Sequence, residues 1–333
     1  MEKIGVKVVV IGGGTGSFTL LSELKNYTHN ITALVNMADD GGSTGTLRDE
    51  LGVLPPGDVR KCLAALSSTP KVRDLFNYRF EEGSLRGHAF GNLFMAALEK
   101  MTGNFADAVE TASEVLNIKG RVEPMTLDNI TLIMETSDGS IVRGEENVSY
   151  RVALPKGEKP KISLEPQANI NPAAKQAILD ADLVVIAPGL LYTSIAAALV
   201  VDGVKEALEQ TEAKKIYVCN LVNKQDQMGE HNVSEFAEEI ERFSGVELDY
   251  VLYNNHLPEQ ELIEKYERNG ETLVTWDEVD LANKHYRAVG KKFIDTGATN
   301  DVGKEHDPLG AHRSFIRHDA DKVARELMRI YFA

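Results

Sequence analysis

The strongest constraint on the fold is an apolar run at the start of the chain that ends in a glycine cluster. Val6 to Ile11 is apolar apart from Lys7, and Gly12-Gly13-Gly14-Thr15-Gly16 follows at once. An uninterrupted apolar strand is typical of a parallel sheet that is covered on both faces. Residues 17–26 are predicted to be helical and residues 31–35 to form a second strand, so the segment predicts a right-handed βαβ unit.

The same pattern returns in the second half of the chain. Residues 183–187, 216–219 and 250–253 read as buried strands that end in glycine or asparagine, with predicted helices between them. A chain of 333 residues with 43% hydrophobic content can bury one large core. The sequence therefore predicts one α/β domain over residues 1–333, with a Rossmann-like, three-layer parallel sheet and a ligand at the carboxyl edge of that sheet.

Residues 121–165 differ from this pattern. Two β-rich stretches surround Asp138-Gly139, a dipeptide that favours a tight hairpin turn. We expect an antiparallel hairpin insertion, or an edge, within the domain.

Composition excludes several classes of function. A net charge of −15 argues against nucleic-acid binding and against anionic membrane surfaces. No apolar run approaches the ~20 residues of a membrane span. Cys62 and Cys219 lack metal-type spacing and are expected to be reduced core residues. With no signal peptide recognised at the N-terminus, the expected location is the cytoplasm.

The first candidate site is the opening glycine loop. Glycine tolerates positive φ and lets a phosphate approach the backbone, while the following helix N-terminus favours an anion. The dinucleotide fingerprint is imperfect, because its third glycine falls on Ser17 and Asn36 stands where a ribose-binding acid is expected. A nicotinamide dehydrogenase is therefore disfavoured. The predicted ligand contacts here are Gly12, Gly13, Gly14, Thr15 and Gly16.

The second candidate site follows the second strand. Asp39 and Asp40 are expected to diverge, one facing the ligand and the other capping a turn, and their oxygens suit Mg²⁺ held jointly with a nucleotide diphosphate. No cofactor is otherwise required. Arg60 fits either a phosphate contact or a surface ion pair. Gly41, Gly42 and Ser43 complete the predicted contacts of this loop.

Two further turns carry polar side chains after glycine. His88 and Asn92 open a helix, where His88 suits a phosphate donor, an acid–base group or a structural role. Residues 187–194 form a strand–turn–helix junction, and Asn220 closes a later strand, where an amide suits either a ligand or a turn. The contacts predicted in this second group are Gly189, Tyr192, Thr193, Ser194 and Asn220.

Taken together, these motifs resemble the YvcK family, also called gluconeogenesis factors. The resemblance rests on the strings VVIGGGTGSFTLLSEL, ADDGGSTGTLRDELG, GHAFGNLF, LYTSIAAAL, YVCN and RHD and extends over nearly the whole chain. That family shares a superfamily with CofD, the 2-phospho-L-lactate transferases, which join a phospholactyl group to a deazaflavin alcohol and release GMP.

The resemblance implies a CofD-like fold and binding of UDP-sugars such as UDP-N-acetylglucosamine or UDP-glucose. It also implies a regulatory role in cell shape and wall synthesis during gluconeogenic growth, with cell-wall synthesis proteins as partners and a homodimer as a possible assembly. No established reaction comes with it. By resemblance, Tyr266 and Arg317 are nucleotide-sugar contacts. A CofD-type phospholactyl transferase is the alternative.

The chain departs from the family pattern at two places. Leu190 stands where the family has serine, which removes a hydroxyl from the fourth turn. After Asn220 the family's Thr-Gln-Pro-Gly-Glu pattern is replaced by LVNKQDQMGEHNV. The first change removes a hydroxyl that suits a phosphate, and the second bears on the sugar specificity of that loop.

Overall fold

The computed structural model describes residues 5–152, 154–155, 157–224, 230–295 and 316–333. Within them the strands are β1 Val8–Gly12, β2 Ile31–Val35, β3 Arg121–Pro124, β4 Thr131–Glu135, β5 Ile141–Arg143, β6 Lys161–Glu165, β7 Leu183–Ile186, β8 Lys214–Val218, β9 Val222–Lys224, β10 Tyr250–Asn254, β11 Glu271–Leu273, β12 Arg287–Lys291, β13 Ile294–Asp295 and β14 Arg317–His318.

The helices of the described residues are α1 Gly14–Leu24, α2 Gly42–Leu51, α3 Gly57–Leu66, α4 Pro70–Asn77, α5 Phe90–Thr102, α6 Phe105–Leu116, α7 Glu145–Arg151, α8 Pro172–Leu179, a π-helix Leu191–Ala196, α9 Ala197–Leu199, α10 Val204–Gln210, α11 Val233–Ser244, α12 Gln260–Glu267, α13 Glu278–Ala282 and α14 Ala320–Phe332. None of these helices has the length and apolar character that a membrane crossing requires.

A seven-stranded sheet organises the molecule, in the order β12-β10-β8-β7-β1-β2-β3. Every neighbouring pair is parallel. The chain runs outward from β1 through β2 to β3, and then outward the other way from β7 through β8 and β10 to β12. Because parallel crossovers are right-handed, this reversal places helices on both faces. The predicted α/β class and parallel sheet are confirmed.

The strands are buried because apolar side chains occupy both of their faces. All five residues of β1 and all four of β7 are buried, as expected for central strands of a doubly covered sheet. α1 packs against α3 and α14, while α11 contacts the π-helix and α10. One apolar core contains residues from both halves of the sheet.

The hairpin at Asp138-Gly139 forms as predicted. β4 pairs antiparallel with β5 and with β6, and Gly139 has the left-handed φ of +84° that such turns require. The predicted boundary of this insertion was wrong, however. Residues 121–124 form β3, which pairs in parallel with β2 at the edge of the main sheet.

Candidate functional site at the reversal of the sheet

The reversal of strand order between β1 and β7 creates a crevice at the carboxyl edge of the sheet, where ligands of open α/β proteins bind. The loops after β1 and β7 meet there. A Cβ added to Gly13 would lie 3.1 Å from the Oγ of Ser194 and 3.0 Å from Oδ2 of Asp58. The first and fourth predicted loops therefore come together, and α3 joins them. We call this place the switch-point crevice.

The glycines of the first loop are required by close approach. None of Gly12, Gly13, Gly14 and Gly16 has a positive φ, so close approach and not left-handed backbone explains these glycines. A Cβ on Gly16 would lie 1.7 Å from the carbonyl oxygen of Pro188. The glycines allow α1 to pack directly on the loop after β7, with Thr15 exposed at its start.

Asp39 and Asp40 diverge, as the sequence predicted. Both carboxylate oxygens of Asp40 accept N–H groups at the start of α7, from Glu145 at 3.2 Å and from Glu146 at 2.8 Å. Asp40 therefore ties the second loop to the helix of the insertion. Asp39 accepts the N–H of Gly41 at 3.1 Å and lies on the side of α3.

This divergence does not support a joint Mg²⁺ site at Asp39 and Asp40. Each oxygen of Asp40 accepts an N–H at the start of α7, so this carboxylate is directed toward that helix, while Asp39 lies on the side of α3. Over the described parts of the chain, no three His, Cys, Asp or Glu side chains gather as a metal-binding group. The carboxylate that neighbours Asp39 electrostatically is Asp58.

Asp58 and Lys61 were missed as site residues in the sequence. Lys61 Nζ lies 3.0 Å from Asp58 Oδ1, and the pair faces the first loop, since a Cβ on Gly14 would lie 2.3 Å from that oxygen. α3 begins at Gly57, so Asp58 lies in its first turn. The Asp58 carboxylate raises the pKa of Lys61, which keeps this lysine cationic.

Burial shifts two carboxylates of the crevice. Desolvation, reinforced by the negative charge of Asp58, raises the pKa of Asp39 to about 6. Desolvation also raises the pKa of Glu145, from the insertion, to about 7, and Asp39 adds to the shift. Raised carboxyl pKa values in a crevice mark candidate functional groups. Glu145 carried no signal in the sequence, because only the tertiary fold brings the insertion to this edge.

The second and third predicted loops are joined by hydrogen bonds. Ser43 Oγ lies 3.0 Å from His88 Nδ1, and Asn92 Nδ2 donates to the same oxygen at 3.1 Å. Arg60 Nε donates to Asn92 Oδ1 at 2.8 Å, which fixes the orientation of the Asn92 amide. His88 and Ser43 are half-buried, so this relay reaches the surface beside the crevice.

Arg60 has a structural role that both readings of the sequence missed. Its side chain is buried, and besides Asn92 it donates to the carbonyl oxygen of Phe76 at 3.2 Å and to Asn77 Oδ1 at 2.6 Å. A guanidinium engaged in this way fastens α4 and α5 to α3. The structure therefore gives no support to Arg60 as a phosphate ligand or as a surface ion pair.

The fourth loop is braced by amides. Asn220 accepts the N–H of Gly189 at 3.0 Å and donates to its carbonyl oxygen at 2.8 Å. Asn36 Nδ2 donates to the carbonyl oxygen of Thr193 at 3.2 Å, which ties β2 to the π-helix. π-Helical segments are frequent at functional sites. Asn36 and Asn220 thus shape the crevice.

Tyr192 does not line the crevice. Its side chain is 1% exposed, and its ring packs edge-on against Phe243, 6.0 Å between centroids. Burial raises the pKa of its hydroxyl. Its predicted ligand contact is therefore not supported, and Ser194 is the hydroxyl of this loop nearest to Gly13.

The two residues assigned by resemblance lie elsewhere. Tyr266 is 3% exposed in a small cluster with Leu221, Ile294 and Ile316, and its hydroxyl accepts the N–H of Ile316 at 2.6 Å. In this arrangement the ring is a packing element, and stacking on a base stays a prediction. Arg317 is half-buried in β14, opposite Asp295 of β13.

His318, beside Arg317, is structural. Its Nε2 lies 3.0 Å from the carbonyl oxygen of Cys219 at the end of β8, and burial lowers its pKa to about 4. A neutral histidine thus holds β14 across the carboxyl edge of the sheet. Asp319 caps α14 by accepting the N–H of Lys322.

Comparison with known proteins identifies the family of the chain. The family model described as 2-phospho-L-lactate transferase CofD matches residues 8–294. A Thermotoga maritima protein is 40% identical over 327 residues, which cover 98% of this chain and 99% of that protein. The Bacillus subtilis protein named "Gluconeogenesis factor" is 37% identical over 328 residues, 97% of each chain.

A solved structure gives the same result. A crystal structure of a UPF0052 family protein from Bacillus halodurans superposes with a TM-score of 0.85 at 35% identity, covering 97% of this chain and 99% of that one. On these grounds the chain belongs to the CofD family and, within it, to the gluconeogenesis factors.

Proposed function

We propose that the protein binds a UDP-sugar, UDP-N-acetylglucosamine or UDP-glucose, in the switch-point crevice, and acts in the cytoplasm as a regulator of cell shape and wall synthesis during gluconeogenic growth. The observation that carries the binding proposal is the meeting of the first loop, the fourth loop and the Asp58–Lys61 pair at one point. The regulatory role follows from the resemblance, and the names of the relatives support its link to gluconeogenesis.

Lys61 is the proposed partner of the diphosphate. Its side chain is 34% exposed and stands beside the start of α1, whose N–H groups favour an anion. An ammonium at a helix N-terminus provides both charge and hydrogen-bond donors to phosphate oxygens. Arg317 and Tyr266 stay predicted contacts, which require the ligand to extend toward β14.

The crevice is acidic, which sets conditions for binding. Asp39, Asp58 and Glu145 outnumber Lys61, so a diphosphate would meet net negative charge. Mg²⁺ brought by the diphosphate, or protonation of Asp39 and Glu145, would relieve that repulsion. We therefore expect UDP-sugar affinity to rise with Mg²⁺, with Asp39 as the protein group beside the cation.

Calorimetric titration tests the proposal. UDP-N-acetylglucosamine, UDP-glucose, GDP and NAD are each titrated into the full chain, with Mg²⁺ and with EDTA. Heat from the UDP-sugars and none from NAD is the expected result. Lys61→Met should weaken UDP-sugar binding by about ten- to a hundredfold, the effect of losing a charge-assisted hydrogen bond. Lys100→Met, exposed at the end of α5, is the matched control.

The outcome that contradicts the proposal is clear NAD binding together with silent UDP-sugars. Equal affinity in the Lys61→Met and Lys100→Met variants would remove Lys61 from the site while leaving the ligand class standing.

A phospholactyl transferase is the second candidate, favoured by the family description and by the raised pKa of Asp39. A carboxyl with a pKa of about 6 suits a general base for an alcohol acceptor. Incubation with a guanylylated phospholactate donor and a deazaflavin alcohol, followed by chromatography for GMP, separates the two. GMP release that is lost in Asp39→Asn would favour the transferase.

A further inference from the structure

A second cavity lies at the same edge of the sheet, away from the switch-point crevice. It has a volume of about 480 Å³ and lies between the ends of β10 and β12 and the first turns of α14. β10 is the third strand from β1 and β12 the fourth. At about 4.8 Å between strands, the cavity lies roughly 14–19 Å from the glycine loop. We call it the α14 cavity.

The charge of this cavity is opposite to that of the protein. Its lining includes the cationic side chains of Lys291, Lys292, Lys322 and Arg325, with Glu326 as the carboxylate among its lining residues. The whole chain carries −15. Four cations converging on one concavity of an acidic protein concentrate positive potential there, which attracts anions.

Lys291, one of the cations of the cavity, shares its carboxylate partner with a second cation, Arg329. Glu326, with a side chain 4% exposed, receives both Lys291 and Arg329, the latter at 2.5 Å. Two positive charges on one buried carboxylate leave part of their charge uncompensated. Lys291 is the last residue of β12, and its pairing with Asn254 of β10 fixes the position of its backbone beside the cavity.

The other paired cations of the cavity are Lys322 and Arg325, and Arg325 Nε also donates to the Tyr27 hydroxyl at 3.1 Å. Lys322 pairs with Asp319 at 2.6 Å and Arg325 with Asp321 at 2.5 Å, but these lysine and arginine side chains are 47% and 68% exposed. Exposed ion pairs contribute little net free energy, so exchanging a carboxylate for a phosphate costs little. Lys292 is exposed at the start of the β12–β13 connection.

We propose that the α14 cavity binds a small organic phosphate, at a site separate from the switch-point crevice. The volume falls in the range of small-molecule pockets. Asn255 and His256 add polar groups suited to sugar or carboxylate oxygens. Phe293 is among the lining residues, but its side chain is 1% exposed, so it offers a nucleotide base little aromatic surface. The inference does not depend on the proposed function.

The test uses inorganic pyrophosphate and inorganic phosphate as probes on the full chain, with ionic strength held constant by sodium chloride. An anion that binds only the folded protein raises its melting temperature. We expect pyrophosphate to raise it, and calorimetry to show a binding site that depends on Lys292 and Arg325. In the double variant Lys292→Gln with Arg325→Gln, pyrophosphate affinity should fall about tenfold or more.

Matched controls locate the site. Lys71→Gln with Lys100→Gln removes the same charge from exposed positions on α4 and α5 and should keep the parent affinity. Lys61→Met reports on the crevice separately: any pyrophosphate bound there is lost in this variant, while the site that depends on Lys292 and Arg325 remains. The single charge reversal Lys292→Glu repeats the test if the double variant is unstable.

Two results would overturn the proposal. Pyrophosphate that fails to stabilise the parent shows that the cavity does not bind anions. Loss of pyrophosphate binding in Lys61→Met, with the Lys292 and Arg325 variants unaffected, shows that the anion binds in the crevice.

Discussion

Ser43 and His88 are held 3.0 Å apart, Oγ to Nδ1, which joins the loop after β2 to the turn that opens α5. Asn92 Nδ2 donates a hydrogen bond to Ser43 Oγ, and Arg60 Nε donates one to Asn92 Oδ1. The two loops that flank the crevice are therefore positioned from the core by a buried arginine.

Arg60→Met should destabilise the protein strongly. The substitution leaves Asn92 Oδ1 and the carbonyl oxygen of Phe76 without their donor in a buried place, and Asn77 without its donor at the surface. Each buried acceptor left unsatisfied costs about 1–3 kcal/mol. Urea unfolding measures the change. Arg73→Met, whose guanidinium lies 3.9 Å from Asp74 on α4, should cost under about 1 kcal/mol. Similar stabilities for the two variants would contradict the structural role of Arg60 and leave it a candidate ligand contact.

Asp39→Asn should stabilise the protein, and by more at pH 7.5 than at pH 5. The pKa of Asp39 is raised from 3.8 when unfolded to about 6 when folded, so its ionisation opposes folding. That cost is absent below about pH 4, grows as pH rises toward 6 and is complete above it. At 1.36 kcal/mol per unit, the upper bound is about 3 kcal/mol.

Urea unfolding of the Asp39→Asn variant and the parent at several pH values checks this expectation. Asp49→Asn, on the exposed face of α2, is the matched control. A stability difference that shrinks as pH rises from 5 to 7.5 would mean that Asp39 is stabilised as a carboxylate.

Gly16→Ala should destabilise the protein by about 1–3 kcal/mol or more, as overpacking does. The new Cβ would lie 1.7 Å from the carbonyl oxygen of Pro188, so α1 or the loop after β7 must move. Gly41→Ala is the control, because its Cβ would meet nothing closer than 3.6 Å and its φ is −87°. Thermal unfolding compares them, and equal melting temperatures would contradict the close packing of the first loop.

Asp40→Ala should loosen α7 while leaving the main sheet intact. Asp40 accepts two N–H groups at the start of that helix, and loss of an N-terminal cap costs about 1 kcal/mol. Hydrogen exchange followed by mass spectrometry should show faster exchange in 145–151 and unchanged exchange in β1 and β7. Asp40→Asn keeps an acceptor and should restore much of the protection. Unchanged exchange in both variants would show that the hydrogen bonds of Asp40 do not stabilise α7.

The sequence alone determined the class of the fold and the loops that form its carboxyl edge. The divergence of Asp39 and Asp40 also followed, since adjacent residues point in different directions. The Asp138-Gly139 hairpin followed from turn chemistry, because that dipeptide favours positive φ.

Only the tertiary structure decided which polar groups face the crevice. Arg60 and Tyr192 carry the residue types of a ligand site, yet packing turns both into the core, because a side chain's direction depends on what covers its element. Lys61 and Glu145 come from a helix face and an inserted helix, and their places beside the first loop depend on long-range contacts that no local pattern encodes. The raised pKa of Asp39 also depends on the tertiary structure. Desolvation arises from every group packed around the carboxyl, including groups that are distant in the sequence.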